Sequence, residues 1–162
     1  MIVMPSNNTG FEAGYFAGKY LGRIGHLHNV DKLMQPRPNV PWALDNGVFG
    51  AHQKGSTWSE EPLYQYLDAY GQLAPKWVVV PDWVGDRDET LRRWDKHYNA
   101  LSAFGVPLAF AAQDGMTPAD VPTEASIVFV GGTTSWKWRN LRMWTEAFPR
   151  VHVGRVNTYR LL

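Results

Sequence analysis

Polar residues suited to recognising a flat, polar ring follow four apolar stretches of the sequence. Asp45 and Asp82 each follow such a stretch, Gln113 follows a third, and Gly131 and Gly132 follow a fourth. A carboxylate accepts hydrogen bonds from a pair of N–H groups, a glutamine amide donates to a carbonyl oxygen, and glycine leaves backbone N–H groups accessible. Guanine has an edge that matches this set. For Asp45, the alternative interpretation is an aspartate that caps a turn.

Strands and helices alternate along the chain and would place these residues at one edge of a sheet. Strands are predicted at 2–4, 42–45, 77–80, 107–111, 126–130 and 151–156, with a seventh at 23–27. Helices are predicted at 10–22, where glycine recurs at every fourth position, after Ser59, from Asp88 and across 138–148. This alternation is typical of βαβ units, whose parallel strands all end at the same edge of the sheet.

The predicted fold class is therefore α/β, with a parallel (β/α) barrel as the architecture. An eight-stranded barrel typically needs about 250 residues, or about 200 when compact. The chain has 162 residues. We therefore expect one domain over residues 1–162 that forms a minimal or incomplete TIM-like barrel.

Composition excludes several kinds of site. Cysteine is absent, which removes disulfides, a thiol nucleophile and thiolate zinc sites. No apolar run approaches the ~20 residues that span a bilayer, and the N-terminal residues Met1 to Pro5 lack the basic region of a signal peptide. We expect a cytoplasmic protein that does not associate with membranes. The net charge is only +1, so no overall field indicates a nucleic-acid partner.

Local groups of basic residues are the candidates for binding nucleic acid. Arg87, Lys137, Arg139 and Arg155 lie near the loops that follow the strands and are candidates for phosphate contacts. Trp136 and Trp138 alternate with Lys137 and Arg139, a pattern that also suits single-stranded nucleic acid. The alternative, which we weigh equally, is that these cations are solvated residues on helix faces.

Five segments, in chain order from residue 40, resemble segments of the tRNA-guanine transglycosylases. They are Ala43-Leu44-Asp45-Asn46-Gly47-Val48-Phe49; Val80-Pro81-Asp82 with the following Asp88–Trp94; Phe110-Ala111-Ala112-Gln113-Asp114-Gly115; Phe129-Val130-Gly131-Gly132; and His152-Val153-Gly154-Arg155-Val156-Asn157-Thr158. The short, cysteine-free chain looks most like the phage branch of this superfamily, which inserts 7-deazaguanines into DNA. The tRNA enzymes carry a structural zinc held largely by cysteines, and that site cannot exist here.

The resemblance implies a barrel enzyme, a glycosyltransferase that replaces guanine in DNA with a 7-deazaguanine. On the matched positions, Asp45 is the acid/base carboxylate. Asp82 and Gln113 read the purine edge with the backbone of Gly131 and Gly132. Phe49 stacks on the base, a role inferred from its position. The implied partners are DNA, in preference to tRNA, and the free 7-deazaguanine base. No cofactor or metal is implied, and a phage-encoded enzyme would act in the host cytoplasm.

The nucleophile of the family does not fall within the given sequence. In the family, the nucleophilic aspartate lies on a strand after the Gly-Val-Gly segment, whereas the given chain ends at Leu162. Asp82 is a second catalytic candidate, as the attacking carboxylate. If Asp45 instead activates water, the outcome is base excision by a hydrolytic DNA glycosylase. The same residues would also suit a non-catalytic module that binds a deazapurine or a flipped base, or an unrelated barrel enzyme.

Overall fold

The computed structural model of the protein describes residues 2–6 and 11–155. Its helices are α1 (Phe11–Lys19), α2 (Val48–Lys54), α3 (Glu61–Tyr70), α4 (Arg87–Ser102) and α5 (Thr134–Ala147). Its strands are β1 (His26–Asn29), β2 (Trp42–Asp45), β3 (Val78–Val79), β4 (Leu108–Ala112), β5 (Ile127–Val130) and β6 (Val151–Val153). Short 3₁₀ turns cover Gly71–Leu73 and Pro118–Asp120.

The six strands follow one another in the sheet in chain order, and the strand pairs with a described register are parallel. This confirms the α/β class and the alternation of parallel strands with helices. The chain divides into two compact units. Unit 1 comprises Met1–Val78 with Ala103–Val106, and unit 2 comprises Val79–Ser102 with Pro107–Leu162.

Unit 1 is built on β1 and β2, whose register pairs His26 with Trp42 and Asn29 with Asp45. In β2, Ala43 and Leu44 are fully buried. Helix α3 buries Leu63, Tyr66 and Leu67, which recur at the i, i+3, i+4 spacing of one helix face. The predicted amphipathic helix after Ser59 is confirmed, and the Ser59 hydroxyl accepts a hydrogen bond from the Glu61 N–H at 3.3 Å.

Unit 2 is built on β4 and β5, which pair over four residues from Ala109–Ile127 to Ala112–Val130. All five residues of β4 and all four of β5 are buried, as expected for central strands of a parallel sheet. From α4, Trp94 packs edge-on against Phe110, with ring centroids 5.6 Å apart. From α5, Trp144 is completely buried. The unit therefore has an aromatic core beneath two helices.

Several sequence expectations need correction or lie outside the described residues. The predicted strand at 2–4 contributes only an isolated bridge from Val3 to Ile24, and a second bridge joins Ser6 to Leu27. The strand predicted at 23–27 instead spans 26–29, because the buried histidines of β1 interrupt the apolar pattern. The glycine- and serine-bearing segment after β2 predicts a loop, but helix α2 occupies part of it. Pro5-Ser6-Asn7-Asn8-Thr9-Gly10 predicts a polar turn and Asn157-Thr158 a helix start; residues 7–10 and 157–158 lie outside the described residues.

Among the described residues, every helix is too short or too polar to cross a lipid bilayer.

Candidate functional site

The end of β3 and the end of β4 contribute a buried pair of polar side chains in unit 2. Asp82 follows β3 by three residues, and Gln113 immediately follows β4. The Gln113 amide nitrogen donates to Asp82 Oδ2 at 2.5 Å. Asp82 is 9% exposed and Gln113 is 3% exposed. Parallel strands end at a common edge, so two residues 31 positions apart in sequence become neighbours.

Gln113 is held in one orientation by contacts of its side chain and of its backbone. Its Oε1 accepts from the Gly85 N–H at 3.3 Å, while its backbone N–H donates to the Met116 sulfur at 3.2 Å. This network assigns the amide nitrogen to the side of the carboxylate. A Cβ added at Gly131 would lie 3.1 Å from that nitrogen, so glycine at this position leaves room for the amide.

The Gly131-Gly132 segment is anchored by Asp114, the residue after Gln113. Asp114 accepts from the Thr133 N–H at 2.6 Å and from the Thr133 hydroxyl at 2.7 Å. Thr133 also caps α5. The Gly131 N–H donates to the Ala112 carbonyl at 2.9 Å, so it is already used by the backbone. Within the described part of the chain, the Gly132 N–H donates no backbone hydrogen bond.

Two of the predicted phosphate-binding residues, Arg155 and Lys137, donate to glycine carbonyls of unit 2 but lie in different environments. Arg155 is exposed and donates to the Gly132 carbonyl at 2.8 Å. Lys137 is only 1% exposed, and its ammonium group donates to the Gly154 carbonyl. Burial and the nearby Arg155 lower the pKa of Lys137 to about 8, although Asp114 opposes the shift. In this structure, then, the Lys137 ammonium lies inside unit 2, not at the surface where phosphate contacts are made.

The remaining basic candidates lie at the surface of unit 2. Arg87 is half-exposed and forms ion pairs with Asp88 at 2.6 Å and with Asp120 at 2.5 Å. The hydrogen bonds with Asp120 and Asp88 raise the pKa of Arg87. Arg139 is exposed on α5. Trp136 is buried and Trp138 is half-buried, so the alternating aromatic and basic side chains do not form one exposed surface.

Asp45 ends β2 in unit 1, as the sequence predicts, and takes part in the turn that starts α2. Its Oδ1 accepts from the Gly47 N–H at 2.9 Å. The neighbouring Asn46 accepts from the Val48 N–H at 2.9 Å, and Gly47 has a left-handed φ of 78°. This is the turn-capping geometry that is the alternative interpretation of Asp45. Phe49 is half-buried in the first turn of α2.

Two features of interest were not singled out by sequence reasoning. Trp83, directly after Asp82, is 46% exposed. In unit 1, His26 and His28 are buried side by side, with ring centroids 4.1 Å apart. The alternation His26-Leu27-His28-Asn29 is a strand pattern that would have placed these histidines on one face.

The structure thus brings together Asp82, Gln113, Gly131 and Gly132 in unit 2, while Asp45 and Phe49 belong to the end of β2 in unit 1. Within the described residues, no group of three or more histidine, aspartate or glutamate side chains is arranged to hold a metal ion. The sequence matches no protein-family model, and no curated protein matches it either.

Proposed function

We propose that the protein is a base-exchange transglycosylase that replaces guanine in DNA with a 7-deazaguanine. The observation that supports this most directly is the buried contact between Asp82 and Gln113 at the ends of two strands. Buried carboxylates and amides are costly unless they are hydrogen-bonded. Gln113 donates one such hydrogen bond to Asp82, and the groups of this pair are those that a guanine-like edge would engage.

The expected binding mode follows from the donors and acceptors of the purine. Asp82 would accept from the N1–H and the exocyclic amino group, while the Gln113 amide nitrogen would turn from Asp82 to the O6 carbonyl. The Gly132 N–H would supply a further donor beside Gln113. The single hydrogen bond from Gln113 to Asp82 would be exchanged for hydrogen bonds to the base, so that both buried side chains keep a partner.

The proposed chemistry requires a carboxylate at the sugar. In an exchange, a nucleophile attacks C1′, the bond from C1′ to N9 breaks, and guanine leaves with a proton. The incoming deazaguanine then loses a proton from N9, bonds to C1′ and displaces the nucleophile. Asp45 is proposed as the acid/base group and Asp82 as a second catalytic candidate. The resemblance to transglycosylases also supports a minimal or incomplete TIM-like barrel and a phage-type enzyme acting on DNA.

The proposal is tested by mass spectrometry of nucleosides from DNA incubated with the protein and candidate 7-deazaguanines, with tRNA as a parallel substrate. Exchange predicts a new 7-deaza-2′-deoxyguanosine in DNA and release of guanine. Abasic sites without a new nucleoside would assign a hydrolytic glycosylase, and base binding without either product would assign a binding module. The Asp82→Asn variant is assayed in the same way. Its matched control is Asp95→Asn, at an exposed position of α4 in unit 2.

A further inference from the structure

Trp83 is the most exposed tryptophan of the protein, and it directly follows Asp82. The chain has eight tryptophans, all within the described residues. Trp83 is 46% exposed, whereas each of the others is buried or half-buried. An indole in water forgoes the stabilisation of burial. An isolated exposed aromatic residue is still ordinary, so its surroundings must decide whether it has a role.

The backbone around Trp83 is fixed on both sides of the residue. The Trp83 N–H donates to the Thr90 hydroxyl oxygen at 3.0 Å, and its carbonyl accepts from the Asp86 N–H at 3.2 Å. Thr90 is 1% exposed on α4. The next residues lead to Gly85, whose N–H donates to Gln113. The segment that carries the indole is therefore joined by hydrogen bonds to the helix and to the proposed base-reading pair.

One face of the Trp83 ring is covered by a cation. The guanidinium carbon of Arg93 lies 4.5 Å from the ring centroid. Arg93 also donates to the Asp82 carbonyl at 2.9 Å and to the Glu89 carboxylate at 3.3 Å. Trp83 as a whole is nearly half exposed, so part of the residue remains open to solvent beside this contact. The cation–π contact also helps to hold the ring in place.

We propose that Trp83 is a positioning residue that stacks on a nucleobase flanking the target guanine in a DNA strand. This inference rests on the proposed function, because that function requires a base to leave the duplex beside Asp82. Extrusion of a base removes a stacking partner from its neighbours. An aromatic platform next to the pocket replaces that partner without reading sequence, since every base has a flat face. A platform already held by Thr90 and Arg93 loses little freedom on binding.

The test compares Trp83→Ala, Trp83→Phe and a matched control. Tyr20→Ala removes an aromatic ring that is 45% exposed in unit 1 and lies 5.6 Å from the Lys19 ammonium. Affinity is measured for a single-stranded DNA oligonucleotide with one guanine between purines, and for free 7-deazaguanine. We expect Trp83→Ala to weaken DNA binding about 10-fold, Trp83→Phe to stay within about 3-fold of wild type, and Tyr20→Ala to have no effect. Binding of the free base should not change.

Fluorescence provides a second readout that does not depend on the alanine variant folding. DNA should quench the tryptophan emission of wild type, and Trp83→Phe should lose that quenching while still binding DNA. Wild-type DNA affinity in Trp83→Ala, undiminished quenching in Trp83→Phe, or loss of free-base binding in Trp83→Ala would each overturn the proposal. The proposal would also be overturned if Trp83→Ala lost affinity for RNA of the same sequence but kept its affinity for DNA.

The two proposals can fail separately. If wild type exchanges no base but Trp83→Ala still loses DNA affinity with free-base binding unchanged, the stacking role stands and the transglycosylase function falls. If wild type exchanges bases and Trp83→Ala binds and exchanges as well as wild type, the function stands and the stacking role falls.

Discussion

Two strand ends of this protein look alike in sequence and differ in structure. In both β2 and β3, an apolar run leads to an aspartate, Asp45 in unit 1 and Asp82 in unit 2. Asp45 Oδ1 accepts from a backbone N–H two residues ahead. Asp82 Oδ2 accepts from the Gln113 side chain, 31 residues ahead. One bond shapes a local turn, and the other joins the ends of two strands.

The difference indicates which structural feature accounts for the presence of each aspartate. A turn aspartate is accounted for by backbone geometry, because its carboxylate satisfies N–H groups at the start of a helix. Asp82 instead accepts from a side chain at the end of another strand, and an apolar pair would fill the same buried space without polar cost. Asp82 is therefore the more informative residue for recognition, and the catalytic role proposed for Asp45 must be tested by its effect on turnover.

Two glycines of unit 2, Gly132 after β5 and Gly115 after β4, allow the packing around Asp114 to be tested by measuring stability. Gly132 has φ of 60°, and a Cβ there would overlap Asp114 Oδ1 and lie 2.8 Å from Trp136. Left-handed strain and overpacking together should make Gly132→Ala less stable by about 3 kcal/mol. Gly115→Ala is the control, because it has φ of 84° with nothing within 4 Å, and strain alone should cost about 1 kcal/mol. Urea unfolding measures the free energy of unfolding of both variants. Equal losses would show that the side chains of Asp114 and Trp136 move aside without a further cost in stability.

The Asp45→Asn variant tests whether the turn aspartate also does chemistry. The amide keeps an oxygen for the Gly47 N–H, so the turn and the unfolding midpoint should persist. Loss of an acid/base group should reduce base exchange by about 100-fold. Asp68→Asn, at an exposed position of α3 in the same unit, is the control. Turnover equal to wild type would leave Asp45 as a turn residue only.

The strands were predictable where burial and sequence pattern agree. The apolar run of β2 ends at Asp45 in both prediction and structure, and Gln113 follows β4 as expected. Helix α2 was missed because Asn46 and Gly47 are typical of a loop. Here the Asn46 side chain and a left-handed Gly47 start a helix instead. Turn residues fix a local conformation, but they do not determine whether a helix or a loop comes next.

The proximity of Asp82 and Gln113 was predictable, but the other contacts around them were not. Strand ends indicate that Asp82 and Gln113 lie close together, since neighbouring parallel strands share an edge. Burial of Lys137 was not predictable, because a lysine on an amphipathic helix is normally solvated. Its partner is the Gly154 carbonyl, 17 residues away, and only the folded chain brings the two together.

The Asp82→Asn variant tests the recognition side of the comparison. The substituted amide would present an N–H group to the Gln113 amide nitrogen or to the N–H groups of the base. A mismatched buried polar group of this kind should weaken binding of free 7-deazaguanine by about 1–3 kcal/mol. DNA affinity should hardly change, because phosphate contacts dominate it. Calorimetry with the free base and with DNA checks both, and an equal loss of the two affinities would contradict the assigned role.

The last prediction concerns the pH dependence of stability and the buried histidines of unit 1. His28 Nδ1 lies 2.6 Å from the Tyr66 hydroxyl, which donates to the Met34 carbonyl. Burial, the neighbouring His26 and Arg37 lower the pKa of His28 to about 4, although the hydrogen bond with Met34 opposes the shift. The unfolded chain titrates at about 6.5 and therefore binds more protons than the folded chain at any pH between the two values.

The free energy of unfolding should consequently fall as the pH is lowered from about 6.5 to about 4, by at most about 1.4 kcal/mol per pH unit for this one group. Above the upper value the histidine is neutral in both states and contributes no slope.

His28→Gln keeps a hydrogen-bonding group but cannot titrate, so it should flatten the pH dependence. His52→Gln, at an exposed position of α2, should leave it unchanged. Urea unfolding midpoints across this pH range make the comparison. If His28→Gln keeps the wild-type slope, other groups control the acid sensitivity of the protein, with His152 of unit 2 as the next candidate, since burial lowers its pKa to about 4 as well.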